Sequence, residues 1–293
     1  MINRRQTFGV VGLGLVTGCT KGSTVTQDNE NIDPAHLAPF TLNLESWWYD
    51  KPFLDRIDLA AKAGFQTAEM WDPVKADIPI KDMVSRAQDA GIKIIHCTLS
   101  VPKLAEASRE DTIGVVKASI EHVKSLGANF ATIVGHDNIL DKSYDEMIGP
   151  FQDRLADIAP LLEGADIMGC VEPFNPYNHP KHFLHGSKDA VKMIKNINSP
   201  NLKLNWDLFH MQRAEGNVAH NLQKGIEQAA MLQIADSPGR QQPGTGEMNY
   251  SYILNQALAA GFDGPIGLEC FPDPKTIDHA VADIAALGAS LKS

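Results

Sequence analysis

Eight times along this chain a short apolar run gives way to a longer amphipathic one, and no other feature constrains the fold as strongly. The predicted strands are Pro39–Leu44, Phe65–Met70, Ile92–Cys97, Asn129–Val134, Ile167–Glu172, Leu202–Asp207, Ala229–Ala235 and Pro265–Glu269. The predicted helices between and after them are Phe53–Ala63, Pro79–Ala90, Arg109–Leu126, Asp145–Leu162, Ser187–Ile197, Asn217–Gln228, Tyr250–Ala260 and Thr276–Leu287. Ala63-Gly64, Ala90-Gly91, Leu126-Gly127 and Ala260-Gly261 each close a helix just before a strand, where glycine supplies the left-handed cap. Units of this kind at a spacing near thirty residues make a parallel sheet, and eight of them close most simply into an α/β (β/α)8 TIM barrel. A doubly wound open sheet is the rival, but no Gly-x-Gly-x-x-Gly follows the first strand.

The near-match Gly9-Val-Val-Gly12-Leu-Gly14 lies in a different kind of segment. Arg4 and Arg5 precede a short apolar stretch, and Val16-Thr17-Gly18-Cys19 puts small residues before a cysteine. Residues 1–18 read as an export signal of lipoprotein type, general secretory or twin-arginine, with Cys19 as the lipidated residue. Residues 19–35 read as a flexible tether and 36–293 as one catalytic barrel domain. The expected location is the periplasmic side, anchored by lipid at a membrane surface without a transmembrane span. No apolar run reaches the roughly 20 residues that such a span needs.

The 293 residues carry 26 basic and 36 acidic side chains, a net charge of -10. That balance argues against nucleic acid as a partner. Four cysteines in this length are no disulfide framework.

In a TIM barrel the chemistry sits where the strands end. Here the third predicted strand ends at His96, the fifth at Glu172, the sixth at Asp207 with His210 one turn on, and the eighth at Glu269. The seventh carries Gln233. Each lies in an apolar run, and a buried carboxylate is costly unless it is paired, hydrogen-bonded or metal-bound. Three of them at one barrel mouth would repel one another, and a divalent cation would hold them together. The oxygen-only set Glu172, Asp207, Gln233 and Glu269 suits Mg²⁺ or Mn²⁺ better than Zn²⁺. Glu172 and Glu269, from strands well apart in the ring, could move a proton across a small hydroxy-carbonyl substrate through an enediolate.

Other polar residues read as structural. His136, His179, His182 and His185 fall in loops and read as mostly solvated or peripheral. Cys97, Cys170 and Cys270 read as buried inert thiols. Trp47-Trp48-Tyr49 follows the first strand and either walls a pocket or plugs the barrel.

Val171-Glu-Pro-Phe-Asn175, Trp206-Asp-Leu-Phe-His-Met-Gln212, Leu232-Gln-Ile-Ala-Asp236 and Pro243-Gly-Thr-Gly-Glu-Met-Asn-Tyr250 resemble the hydroxypyruvate isomerase family, within the xylose-isomerase-like barrels. The resemblance runs from about Phe40 to Leu287. It implies interconversion of hydroxypyruvate and 2-hydroxy-3-oxopropanoate, with Glu172, Asp207, Gln233 and Glu269 as metal ligands and the two glutamates as the acid-base pair. His210 and Arg240 match positions that resemble substrate-binding residues of related ketose epimerases, and His96 joins them as an expected substrate contact. A homo-oligomer is expected on the same ground. The alternatives are a sugar or keto-sugar isomerase or 3-epimerase on the same barrel, and a non-catalytic sugar- or metal-binding lipoprotein.

Overall fold

The computed structural model describes residues 32–74 and 77–292. The expected export signal, with Cys19, lies outside the described residues.

Eight parallel strands pair in chain order and close into a barrel. They are β1 (Phe40–Asn43), β2 (Thr67–Glu69), β3 (Lys93–Thr98), β4 (Phe130–Val134), β5 (Met168–Glu172), β6 (Leu202–Asp207), β7 (Ala229–Gln233) and β8 (Ile266–Leu268). The helices outside are α1 (Phe53–Ala63), α2 (Ile80–Ala90), α3 (Arg109–Leu126), α4 (Tyr144–Ala165), α5 (Ser187–Ile197), α6 (Leu208–Ala214), α7 (Val218–Gly225), α8 (Tyr250–Ala259) and α9 (Ile277–Ala289). This is the (β/α)8 architecture that the alternation predicts.

Local chemistry sets the ends of these elements. Gly64, Gly91 and Gly127 cap α1, α2 and α3 in the left-handed region, at φ 101°, 74° and 82°. Asp166 and Asn198 take the same conformation after α4 and α5, a role open to them because their short polar side chains tolerate it. At the other end of α4, Ser143 and Glu146 form a reciprocal capping box. Leu37 and Phe40 are fully buried at the start of the barrel, just after a 3₁₀ turn over Pro34–His36 that Asp33 caps.

The main departure from the sequence reading follows β6. A single helix over Asn217–Gln228 was expected there. Instead Asp207 starts the extra helix α6 directly, its Oδ1 accepting the backbone N–H of Phe209 at 2.7 Å and of His210 at 3.1 Å. Asp207 is thus strand end and helix cap at once, and that dual role brings His210 back over the barrel mouth.

Candidate active site

Inward-facing polar side chains form two storeys at the C-terminal ends of the strands. The lower one is a ring of hydrogen bonds across the barrel interior. Glu69 accepts from Asn43 Nδ2 at 3.1 Å and from Gln233 Nε2 at 2.9 Å. Its other oxygen lies 3.0 Å from His96 Nδ1. His96 Nε2 lies 2.8 Å from Thr132 Oγ1. Asn205 Nδ2 then donates to Thr132 Oγ1 at 3.2 Å and to Gln233 Oε1 at 2.6 Å, which closes the ring. The directions agree if His96 Nδ1 donates to Glu69 and Nε2 accepts the Thr132 hydroxyl. Every member is buried, and a closed network is what makes such burial affordable. Gly267 on β8 is part of this fit, since a Cβ there would come within 2.5 Å of Glu69 Oε2.

The upper storey holds the carboxylates. Glu172, Asp207 and His210 offer ligand atoms that all lie within 4.8 Å of one another. His210 Nε2 is 3.8 Å from Glu172 Oε1 and 3.6 Å from Asp207 Oδ2, and it has no hydrogen-bond partner. The opposite ring nitrogen, Nδ1, is 2.6 Å from Asn175 Nδ2. Asn175 Oδ1 accepts from the backbone N–H groups of Tyr177 and Asn178, so its NH₂ must face the ring. His210 Nδ1 is therefore an acceptor, and the imidazole proton sits on Nε2, aimed at the carboxylates.

Arg240 closes the mouth from the loop after β7. Its Nη2 is 3.2 Å from Glu269 Oε2 and 3.7 Å from Asp207 Oδ2. The guanidinium lies over Phe209 at 5.1 Å and over Phe271 at 5.7 Å from the ring centroids. The residue holds a left-handed backbone, φ 55°, pinned by its N–H to Asp236 O and its carbonyl to Phe271 N. A non-glycine residue at such a φ is costly and is kept where neighbours over-determine it. The indole of Trp71 donates to Glu269 Oε1 at 2.7 Å.

Glu172, Gln233, Glu269, His96, His210 and Arg240 line one cavity of about 240 Å³. Trp71, Thr98 and Val134 also line a neighbouring cavity of about 580 Å³.

The electrostatics of the inner cavity are those of too many acids in too little water. Burial, then the charges of Glu269 and Asp207, push the Glu172 carboxyl well above the usual range. Burial raises Asp207 to about 6, against the pull of Arg240 and of its two backbone donors. Burial raises Glu269 to about 7, again against Arg240. Burial and the nearby Arg240 hold the His210 imidazole well below its ordinary value, so it is neutral. Burial works against the Arg240 cation, but Glu269, Asp207 and Glu172 more than offset it. One guanidinium beside three buried carboxyls leaves a deficit of positive charge, and a divalent cation fits that deficit. Glu172 and Asp207 supply oxygen donors close together, whereas Glu269, expected in the same ligand set, falls outside the group whose ligand atoms lie within 4.8 Å of one another. Gln233 Oε1 has a second lone pair beyond the one Asn205 uses. His210 faces the cluster with an N–H, so it is placed to donate to a substrate oxygen.

The strand-end residues read from sequence thus gather at one mouth, and His96 is there too. Both His96 nitrogens, however, are committed to the lower ring, where the sequence suggested a substrate contact. Sequence reasoning missed Glu69, Asn205, Asn175 and Trp71. Glu69 is the last polar residue of the predicted strand Phe65–Met70, a signal close to the one that picked out Glu172. The loop histidines need correction, because His136 and His182 are 9% and 4% exposed. An isolated bridge between Asp137 and His182 folds the two loops together, and Phe183 stacks on both rings. The three described cysteines are free and buried, and burial raises all three thiols, as expected of inert ones. Trp47 is fully buried and donates to Leu268 O at 3.1 Å, so it belongs to the core, and Trp71 walls the pocket instead.

Residues 57–287 match the model of the xylose isomerase-like TIM barrel family, and the chain belongs to that family. It is 29% identical over 249 residues to the hydroxypyruvate isomerase of Escherichia coli, covering 81% of this chain and 95% of that one. It is 26% identical over 242 residues to a 2-oxo-tetronate isomerase of Cupriavidus necator, covering 80% and 92%. Among solved structures it resembles the AP endonuclease, family 2, of Brucella melitensis, with a TM-score of 0.78 at 24% identity over 84% of this chain and 98% of that one. Fold, buried Glu/Asp/His cluster and these relatives together make the chain an enzyme of the isomerase class, with a site able to hold a divalent metal.

Proposed function

We propose that this chain interconverts hydroxypyruvate and 2-hydroxy-3-oxopropanoate by proton transfer between Glu172 and Glu269. The observation that carries this reading is that both carboxyls, from β5 and the end of β8, line one small cavity with Arg240 and the His210 N–H. Glu172, Asp207, Gln233 and Glu269 would hold Mg²⁺ or Mn²⁺, which supplies polarisation of the substrate's adjacent hydroxyl and carbonyl oxygens. One glutamate, as carboxylate, removes a proton from the hydroxymethyl carbon to give an enediolate. The other, as carboxylic acid, delivers a proton to the former carbonyl carbon, while the hydroxyl proton passes from one oxygen to the other. The reverse direction exchanges the two roles. His210 Nε2–H and the Arg240 guanidinium hold the substrate oxygens. His96 acts beneath them as a positioning residue.

One observation favours a second reading, a sugar or keto-sugar isomerase or 3-epimerase: the cavity borders a larger one that three carbons would leave empty. A panel of hydroxypyruvate, tartronate semialdehyde, psicose, tagatose and fructose with Mg²⁺ or Mn²⁺ separates the two. Turnover of hydroxypyruvate supports the first reading. Strong turnover of a hexose with none of hydroxypyruvate moves the assignment to the second. Solvent deuterium incorporation into any of them removes the binding-only alternative.

The amino-terminal segment adds a proposed address, export with lipidation of Cys19. Mass spectrometry of the native protein should find Cys19 as the acylated first residue. An intact Met1 would refute it.

A further inference from the structure

Trp71 follows β2, yet its indole N–H reaches Glu269, just past β8, where it donates to Oε1 at 2.7 Å. β1 lies between those two strands in the barrel, so the side chain crosses the end of a whole strand to make this bond. The backbone of Trp71 is anchored for that reach. Its N–H donates to Glu45 Oε1 at 2.9 Å, from the loop after β1, and its carbonyl accepts from Thr98 N at 3.2 Å. The ring stands 6.5 Å from that of Phe271, two residues past Glu269, with the planes tilted by 54°. A wall needs none of this. Trp71 is 41% exposed and could give its N–H to water, but gives it to a carboxyl that is only 7% exposed. The other oxygen of Glu269 faces Arg240 Nη2 at 3.2 Å, and that nitrogen is shared with Asp207 at 3.7 Å. The Trp71 bond is shorter and undivided. A carboxyl held at one oxygen can pivot, whereas one held at both oxygens from different sides is fixed in position and in plane. The donor type fits that task. Indole N–H is uncharged and donor-only, so it orients the carboxyl without pairing its charge or competing for its proton.

We infer that Trp71 is a positioning residue for Glu269: its indole N–H on Oε1, with Arg240 on Oε2, fixes the plane of the carboxyl at the cavity. The inference rests on the isomerase reading for what Glu269 does there. Without the N–H, Arg240 alone holds Glu269, and the carboxyl turns about one oxygen. Misplacing a proton-transfer group by on the order of 1 Å costs about 10²-fold in rate. Trp71 acts through Glu269, so its N–H is felt in kcat, whereas a residue that only walled the cavity would be felt in KM.

The test has a spectroscopic arm and a kinetic arm. Each of the four tryptophans gives one indole N–H resonance by nitrogen NMR, and Trp71→Phe identifies the one that belongs to position 71. That proton should exchange with solvent at least about tenfold more slowly in wild type than in Glu269→Ala. The resonances of Trp47, Trp48 and Trp206, all buried, report whether each variant keeps its fold. In the kinetic arm, Trp71 is replaced by benzothienylalanine, which keeps the shape of the ring and puts sulfur where the N–H was. With whichever substrate of the panel turns over, kcat should fall about 10–100-fold and KM should stay within about threefold. Trp71→Phe should show the same loss of kcat, because it lacks the same N–H. Wild-type kcat in the sulfur isostere, or a loss confined to KM, overturns the inference and leaves Trp71 as a wall. Exchange as fast in wild type as in Glu269→Ala overturns it too, since the bond is then not kept in solution. If wild type turns over no substrate of the panel, the isomerase reading fails, and the exchange rates alone decide whether Trp71 holds Glu269.

Discussion

Asn175 Nδ2, 2.6 Å from His210 Nδ1, decides which edge of the imidazole carries the proton at the barrel mouth. Asn175→Asp keeps an oxygen for the Tyr177 and Asn178 N–H groups but removes the donor to the ring. The new carboxylate would draw the proton to Nδ1 and leave a bare lone pair facing Glu172 and Asp207. Activity should fall about 10²–10⁴-fold, as when a catalytic histidine is held in the wrong tautomer. Nitrogen NMR of the His210 ring should show Nε2 protonated in wild type and Nδ1 in the variant. An unchanged tautomer with full activity would contradict this assignment.

Glu172→Gln and Glu269→Gln each keep an oxygen ligand and delete the titratable group. Each should lower kcat by about 10²–10⁴-fold while retaining part of the metal affinity. Full activity in both variants would end the two-glutamate mechanism. Metal content measured alongside the rates distinguishes lost chemistry from a lost ion.

Stripping the metal should make stability fall with rising pH. Glu172, Asp207 and Glu269 face one another, with Arg240 and the neutral His210 as their other close polar neighbours and Glu69 below. In the metal-free fold their carboxyls titrate above the ordinary range, so the folded state holds more protons than the unfolded one. Stability is then highest below the ordinary carboxylate value of 4.5 and is lost as pH rises toward about 7. With Mg²⁺ or Mn²⁺ bound the cation offsets the mutual repulsion of these carboxylates, so the gap in Tm between loaded and stripped protein should widen from pH 5 to pH 7.5. Calorimetric scans of both forms across that range test it. A constant gap would show that these groups do not share the ion.

Glu69→Ala should be among the most damaging single changes in the barrel. It leaves donors on Asn43, His96 and Gln233 without their acceptor in a dry interior. The expected loss is about 3–5 kcal/mol, with a drop in Tm of about 6–15 °C. Gln233 should also lose its fixed pose, so metal affinity should weaken although Glu69 is no ligand. A drop under about 1 kcal/mol by denaturant titration would mean the ring relaxes without it.

The barrel was legible because periodicity and glycine caps are local signals that survive in a single sequence. The ring of Glu172, Asp207, Gln233 and Glu269 was legible for the same reason: a polar residue that ends an apolar run stands out. Glu69 is less conspicuous, because it stands one residue before the end of the predicted strand Phe65–Met70, between Ala68 and Met70, and in a run that already carries the polar Gln66 and Thr67. The Asn175–His210 contact and the extra helix α6 were hidden. The first joins residues 35 apart, and the second hangs on one side chain that serves two elements. His136 and His182 were misread because their burial comes from a pairing between two loops, which no periodicity announces.

The loop carrying Arg240 is wound around one buried side chain. Asp236 Oδ1 accepts from Ser237 N at 2.9 Å and Met248 N at 3.0 Å, and its Oδ2 accepts from Gly244 N at 2.8 Å. A Cβ at Gly246 would come within 2.1 Å of Ser237 O. This side of the mouth therefore tolerates almost no insertion, deletion or bulkier residue. Descendants of such a barrel would inherit Arg240 in its place, and variation in what the mouth accepts would have to arise elsewhere around it.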